Sequence, residues 1–178
     1  MIKEHTCCFF GHRKIEVTDK LVEHLNDIIE KLITDKSIDT FLFGSKSEFD
    51  TLCLKVVTEL KIKYPHIKRI YVRAEYPYIN DDYRAYLLKS YDDTYYPDKM
   101  LKAGRAAYVE RNYEMIDNSS CCVVYYDESY NPPKRKTAKK SQSNYHPKSG
   151  TRLAFDYAEK TNKNIINVIN ELKNIPKT

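Results

Sequence analysis

Short apolar runs and longer amphipathic stretches alternate along the 178 residues of the chain. The apolar runs predict β-strands at residues 6–10, 38–43, 68–73, 121–126 and 165–169. Apolar side chains that recur every third or fourth position predict helices after Thr18 and at residues 48–64, 106–118 and 151–161. Thr18 is suited to cap the first helix, and Pro65 to end the second.

This alternation of strands and helices favours an α/β fold, a Rossmann-like three-layer sandwich with a mainly parallel central sheet. Residues 121–126 are continuously apolar, which predicts a central strand covered on both faces. Residues 75–104 are rich in tyrosine and irregular, and we expect a short helix near residues 83–88 and otherwise loop. We interpret residues 1–178 as a single domain with a loop insertion at residues 127–149.

Three of the four glycines lie in connections between a predicted strand and the helix that follows it: Gly11, Gly44 and Gly150. A glycine there permits a sharp turn and lets a ligand approach the free N–H groups of the next helix. In an open α/β sheet such turns meet at the carboxyl edge of the strands, where ligands usually bind. The glycines therefore predict one pocket for an anionic, nucleotide-like ligand, and the alternative is that they form ordinary tight turns.

Charge is concentrated in one segment. The chain carries a formal net charge of +5, whereas residues 131–149 alone carry six basic side chains and no acidic one. Five of the six form a cluster, namely Lys134, Arg135, Lys136, Lys139 and Lys140. Such a loop is most often solvated and sometimes contacts phosphate or nucleic acid. Because the charge is local, we do not expect nucleic acid as the partner.

The composition indicates a cytoplasmic protein. No apolar stretch approaches the length of a membrane helix, and the N-terminus has no signal-peptide pattern. The five cysteines are odd in number and lie mostly in apolar runs, which argues for reduced core residues rather than disulfides. No spacing suggests a metal site.

The candidate site residues cluster around the glycine turns. His12 and Arg13 could donate to a phosphate, although Arg13 could instead pair with Asp50. The second turn has no P-loop pattern, yet its hydroxyls and the following helix start could hold an anion, and Asp50 could hold a ribose hydroxyl. The full predicted set is Gly11, His12, Arg13, Gly44, Ser45, Phe49, Asp50, Arg111, Asn112, Tyr126, Ser149, Gly150 and Thr151. Ser149-Gly150-Thr151 is the best phosphate turn of this set, and Tyr126 could stack on a base.

Four segments, CCFFGHRK, FGSKSEFD, ERNYEMIDNSS and SGTRLAFDYA, together resemble the SLOG superfamily. This Rossmann-like group contains the DprA and LOG proteins, and the similarity is strongest to small, single-domain bacterial and phage proteins with a GHR motif. The resemblance implies a nucleotide-binding module in which copies often pair. It matches Arg111 to the catalytic arginine of LOG phosphoribohydrolases, and Gly150 and Thr151 to the phosphate turn.

The chain departs from the LOG pattern at the position three residues after Thr151. LOG enzymes carry a glutamate there, and this chain carries Ala154. Loss of a general acid or base typically costs about 10²–10⁴-fold in rate. Our leading hypothesis is therefore sensing or sequestration of a nucleotide-derived small molecule, with no certain cofactor. The alternatives are a LOG-like nucleoside-phosphate glycosidase, with Arg111 as its catalytic residue, and a DprA-like binder of single-stranded nucleic acid.

Overall fold

The computed structural model describes residues 3–44, 46–100, 104–130 and 148–173. Within these ranges the strands are β1 (Thr6–Gly11), β2 (Thr40–Phe43), β3 (Lys68–Val72), β4 (Asp93–Tyr95), β5 (Cys121–Tyr125) and β6 (Asn164–Asn167). The helices are α1 (Asp19–Lys36), α2 (Glu48–Lys63), α3 (Asp81–Leu87), α4 (Arg105–Asp117), α5 (Gly150–Lys160) and α6 (Val168–Lys173), and a 3₁₀ turn at Lys3–His5 precedes β1.

The strands form one six-stranded sheet in the order β4-β3-β2-β1-β5-β6. Every neighbouring pair is parallel, with Cys7 of β1 in register with Phe41 on one side and Cys121 on the other. This confirms the predicted Rossmann-like α/β fold. The single-domain interpretation of residues 1–178 stays a prediction, and residues 131–147 of the insertion lie outside the described residues.

Two hydrophobic cores cover the two faces of the sheet. Alternate residues of β1 point to opposite faces, so that Phe9 packs with α1 and α2, and Phe10 packs with α4 and α5. All four residues of β5 from Cys121 to Val124 are buried, as predicted for a strand covered on both faces. This two-sided burial produces the three layers expected from the sequence.

Side-chain caps set the starts of the helices. The Oγ1 atom of Thr18 accepts a hydrogen bond from the backbone N–H of Leu21 at 3.2 Å, which confirms the predicted cap of α1. Ser47 caps α2 in the same way through the N–H of Asp50 at 3.0 Å. A capping side chain of this kind contributes about 1 kcal/mol to helix stability.

Two elements differ from the sequence prediction. β4 was expected to be loop because its three residues include Asp93 and form no apolar run; pairing with β3 at the sheet edge makes it a strand. The last strand ends at Asn167, and the residues predicted to finish it begin α6, whose Val168 is buried. In both places a tertiary contact overrides a weak local pattern.

Three observations concern membrane helices, disulfides and metal sites. None of the helices in the described ranges is both long and apolar enough to cross a lipid bilayer. All five cysteines are free and buried. The described part of the chain contains no group of three or more side chains that could hold a metal ion.

Candidate functional site at the carboxyl edge of the sheet

The three glycine turns lie at one edge of the sheet. Gly11 is the last residue of β1, Gly44 directly follows the parallel strand β2, and Gly150 is the first residue of α5, after the connection from β5. The hydroxyl of Thr151 donates a hydrogen bond to the carbonyl oxygen of Gly11 at 2.9 Å. This contact fastens the start of α5 to the end of β1, so the turns meet as the sequence predicts.

The space beside Gly11 is occupied by a side chain of the protein. A Cβ atom at Gly11 would lie between 2.5 and 2.8 Å from ring and Cβ atoms of Phe49. Phe49 is fully buried and also contacts the ring of Tyr125, with ring centroids 5.6 Å apart. Glycine is required at this position because a core ring packs over it, and its role in ligand binding stays a prediction.

Arg111 fills the second turn. Its side chain is 2 % exposed, and a Cβ atom at Gly44 would lie 2.6 Å from its Nε atom. The Nη1 atom donates to the carbonyl oxygens of Gly44 and of Val72, the latter at 3.1 Å, and Nε donates to Oδ1 of Asn112 at 3.0 Å. Arg111, predicted to hold a phosphate, thus holds together the ends of β2 and β3.

A buried carboxylate accompanies this arginine. Asp50 is 2 % exposed and accepts hydrogen bonds from the Gly44 N–H at 3.4 Å and the Ser47 hydroxyl at 3.4 Å. Burial lowers the pKa of Arg111, and the charge of Asp50 opposes that shift. Asp50, predicted to hold a ribose hydroxyl, is thus buried in the second turn close to the charge of Arg111.

His12 is buried among aromatic rings. Its ring stacks on Tyr130 with centroids 4.0 Å apart, and its Nε2 atom accepts a hydrogen bond from the Asp127 N–H at 2.8 Å. The same Nε2 atom lies 3.2 Å from the carbonyl oxygen of Asp127, and among the described residues the buried Nδ1 atom has no hydrogen-bond partner. Burial lowers the pKa of His12, against the opposing influence of Asp127. Because the pKa is lowered from 6.5, the neutral form of His12 is favoured near pH 7.

The start of α5 is the open part of the edge. A Cβ atom at Gly150 would meet no atom within 4 Å. The hydroxyl of Ser149 accepts from the N–H of Arg152 at 3.1 Å, which satisfies one of the first backbone donors of the helix. No described group accepts a hydrogen bond from the N–H of Gly150 or of Thr151. A helix start of this kind has a partial positive charge and free donors for an anion.

Exposed cations lie on the turns that follow β1 and β2. Arg13 and Lys46 are both exposed, and neither forms an ion pair with a described residue. Lys14 is engaged, because it pairs with Glu48 at 2.6 Å. Ser45 and the cluster Lys134, Arg135, Lys136, Lys139 and Lys140 lie outside the described residues.

Two further predicted residues have partners inside the protein. Asn112 holds the guanidinium of Arg111, as described above. Tyr126 stacks on Phe155 with ring centroids 4.5 Å apart, so one face of the ring predicted to bind a base is already covered. Ala154 is fully buried and packs in the core between α5 and the sheet. Its position therefore contributes packing and no acid or base.

The tyrosine-rich segment at residues 75–104, which was predicted to be mostly irregular, begins at the same edge of the sheet, directly after β3. After β3 the chain exposes several tyrosines, and a cavity of about 300 Å³ is lined by Tyr76, Tyr78, Ile79, Asn80 and Tyr83. The available signal was the density of tyrosines in a segment without helical or strand periodicity. A segment without such periodicity has no face that packs on the core, so its tyrosine side chains are more often exposed.

A solved structure has the same fold. The chain aligns with DNA processing protein A of Helicobacter pylori with a TM-score of 0.54 and 13% sequence identity, over 96% of this chain and 72% of that one. That protein binds single-stranded DNA. The match contradicts our expectation against a nucleic-acid partner, which is therefore withdrawn. The error came from treating the basic loop as the sole measure of nucleic-acid binding.

The comparison with curated proteins found no match. The family model YpsA, described as the YspA SLOG family, matches residues 3–159. This range includes β1 to β5, the three glycine turns and nearly all of α5. It confirms the resemblance drawn from the four sequence segments. The chain belongs to the YspA SLOG family.

Proposed function

We propose that this protein binds the phosphate group of a nucleotide-derived ligand at the carboxyl edge of its sheet. The open start of α5 carries the proposal: two backbone N–H groups without described acceptors lie next to a residue with no atom around its Cβ position. Thr151 fixes this helix start against β1, so the donors are held in place before a ligand arrives. Membership of the SLOG family supports the same site.

The electrostatics of the neighbouring turns support an anionic ligand. Arg13 and Lys46 are exposed on the turns after β1 and β2 and could approach a phosphate at the edge. Arg111 and Asp50 have no direct part in this proposal, because both are buried in hydrogen bonds within the second turn. The ligand is therefore bound by the start of α5 and the exposed cations, and not in an enclosed pocket.

Substitution of Gly150 tests this site. Gly150→Asp adds a carboxylate at the first helical position, where an acidic residue favours the helix by about 0.3–1 kcal/mol but repels an anion. Gly150→Asn has the same size without the charge and is the matched control. Two unit charges about 4 Å apart interact by about 4 kcal/mol near a protein surface. A repulsion of one third of this energy, about 1.4 kcal/mol, is sufficient to weaken binding about tenfold.

The measurement is isothermal titration of AMP, ADP-ribose and cyclic AMP into the wild type and both variants. We expect Gly150→Asp to bind at least about tenfold more weakly than Gly150→Asn while melting at the same or a higher temperature. Equal affinities in the two variants would refute a phosphate at this helix start. Lys36→Ala, an exposed change at the far end of α1, should leave binding unchanged.

A second candidate function is binding of single-stranded DNA. The shared fold with a DNA processing protein A favours it. The filled turns favour it too, since Phe49 and Arg111 remove depth from the predicted pocket and leave an open rim. An oligonucleotide of thymidines should then bind with an affinity that falls steeply with salt, by about 0.7 logarithmic units per phosphate contact for each tenfold rise in salt. Binding that is insensitive to salt would exclude this candidate.

Hydrolysis is not part of the proposal. The LOG-like alternative needs a carboxylate at the position of Ala154, and this alanine is fully buried in the core. A carboxylate placed there would lose its hydration, which costs several kcal/mol.

A further inference from the structure

The loop after β3 presents an aromatic surface to solvent. Tyr76, Tyr78, Tyr83 and Tyr86, here named the tyrosine surface, are 64%, 93%, 36% and 64% exposed. Soluble proteins rarely expose contiguous apolar area without a binding role. The concentration of four exposed rings within residues 76–86 therefore needs a reason other than core packing.

The tyrosine surface has a defined shape. Three of its rings, with Ile79 and Asn80, line the cavity of about 300 Å³. The rings of Tyr83 and Tyr86 are nearly parallel, with an interplanar angle of 15° and centroids 6.1 Å apart. A cavity of this volume is at the lower end for small-molecule sites and accommodates one planar ring.

Hydrogen bonds hold the loop in this shape. The Nη1 atom of Arg73 donates to the carbonyl oxygens of Tyr76 at 2.7 Å and Pro77 at 3.2 Å. Oδ1 of Asn80 accepts from the Tyr83 N–H at 2.9 Å. The amide NH₂ of Asn80 therefore remains a donor on the cavity wall. A preformed aromatic wall with an amide donor suits a nucleobase, because the base has two apolar faces and acceptors on its edge.

The tyrosine surface adjoins the glycine turns. Arg111 donates to the carbonyl oxygens of both Gly44 and Val72, and Val72 is the last residue of β3, directly before the loop. The ring of Tyr108 lies 5.7 Å from the same guanidinium, and its hydroxyl donates to Glu75. The ends of β1 and β3 are two strand spacings apart, about 10 Å. The phosphate site and the tyrosine surface thus both lie at the carboxyl edge of the sheet.

We infer that the tyrosine surface binds the bases of single-stranded DNA whose phosphates contact the start of α5. This inference rests on the second candidate function, binding of single-stranded DNA, and assigns the surface that holds its bases. An open rim with phosphate donors at one end and stacking rings at the other fits an extended strand. Base–aromatic stacking tolerates every base, so the site selects single strands rather than a sequence.

Substitution at Tyr78, the most exposed of the four rings, tests the inference with little effect on folding. Tyr78→Ala removes the ring, Tyr78→Phe keeps it, and Ile62→Ala is the control, an apolar side chain that is 85% exposed on α2. The probes are a fluorescein-labelled thymidine oligonucleotide of about 12 nucleotides, within the span of single-strand sites, and an abasic strand of equal length. Fluorescence anisotropy gives both affinities.

We expect Tyr78→Ala to bind the thymidine strand about tenfold more weakly and the abasic strand as the wild type does. Tyr78→Phe and Ile62→Ala should retain wild-type affinity for both strands. Tyr78→Trp adds a second readout, because the chain contains no tryptophan and the new indole should be quenched when a base stacks on it.

The outcomes separate this inference from the proposed function. Equal wild-type affinity for the two strands, or no effect of Tyr78→Ala, would overturn base stacking and leave the phosphate site standing. Binding of free nucleotides but of neither strand would do the same. No binding of any nucleotide or strand would overturn both proposals. A dimer in sedimentation that Tyr78→Ala dissociates, with strand affinity unchanged, would assign the surface to a second copy and overturn the inference.

Discussion

Replacing Arg111 should destabilise the fold, because the structure makes this residue a buried connector between β2 and β3. Arg111→Met removes the guanidinium and keeps most of the side-chain volume. It leaves the carbonyl oxygens of Gly44 and Val72 without this donor and removes the positive charge of Arg111 that acts on the carboxylate of Asp50.

The magnitude follows from these lost partners. Each of the two buried carbonyl oxygens left without this donor costs about 1–3 kcal/mol, so together they cost about 2–6 kcal/mol. We expect the free energy of unfolding to fall by about 4 kcal/mol, out of the 5–15 kcal/mol typical of a domain. For a chain of this length that lowers the melting temperature by about 8–16 °C.

Urea unfolding followed by circular dichroism and by tyrosine fluorescence measures this change. Arg105→Met is the matched control, since Arg105 is exposed on the same helix and its loss should stay within about 0.5 kcal/mol. Arg111→Met combined with Asp50→Asn should cost less than the sum of the two single changes, because both remove the same electrostatic interaction between Arg111 and Asp50. A loss below about 1 kcal/mol in Arg111→Met would refute the connector role.

Two further predictions concern buried titratable groups. Burial lowers the pKa of His12 from its ordinary value of 6.5. Below pH 6.5 the unfolded chain therefore binds a proton that the folded chain does not, and the free energy of unfolding should fall as the pH drops toward the folded-state pKa. His12→Gln, which keeps an acceptor for the Asp127 N–H, should lose less of its urea midpoint between pH 7.5 and 5.5 than the wild type, and an equal loss would assign the titration to another group. All five cysteines are buried. A disulfide reagent such as DTNB should therefore react with fewer than one thiol per native chain and with five in guanidinium. Fast reaction of the native protein would contradict the buried core.

Local pattern was sufficient for most elements of the fold. The strand at Cys121–Tyr125 and the helices around Leu25 and Val56 have apolar spacings that only one type of element can bury. The capping role of Thr18 was also visible, because a helix start needs a side-chain acceptor close in sequence. β4 was not predicted, because its three residues contain no apolar run. They form a strand only by pairing with the edge of β3.

The candidate site was predictable in position and not in detail. Parallel strands must end at one edge, so the meeting of Gly11, Gly44 and Gly150 follows from element order alone. Which side chains fill those turns depends on how the helices are rotated against the sheet. An arginine at position 111 has the same local pattern whether it faces solvent or the carbonyl oxygens at the ends of two strands.

The sequence by itself determined the order and type of the main elements, the family and the edge at which the glycine turns gather, since these depend on periodicity and on contacts between near neighbours in the chain. Only the tertiary structure decided that Phe49 and Arg111 occupy the first two turns, that the third stays open at Gly150, and that the tyrosines after β3 face solvent. Those outcomes depend on packing between residues far apart in sequence, such as Arg111 against Gly44, and a pattern read along one segment contains no information about its distant partner.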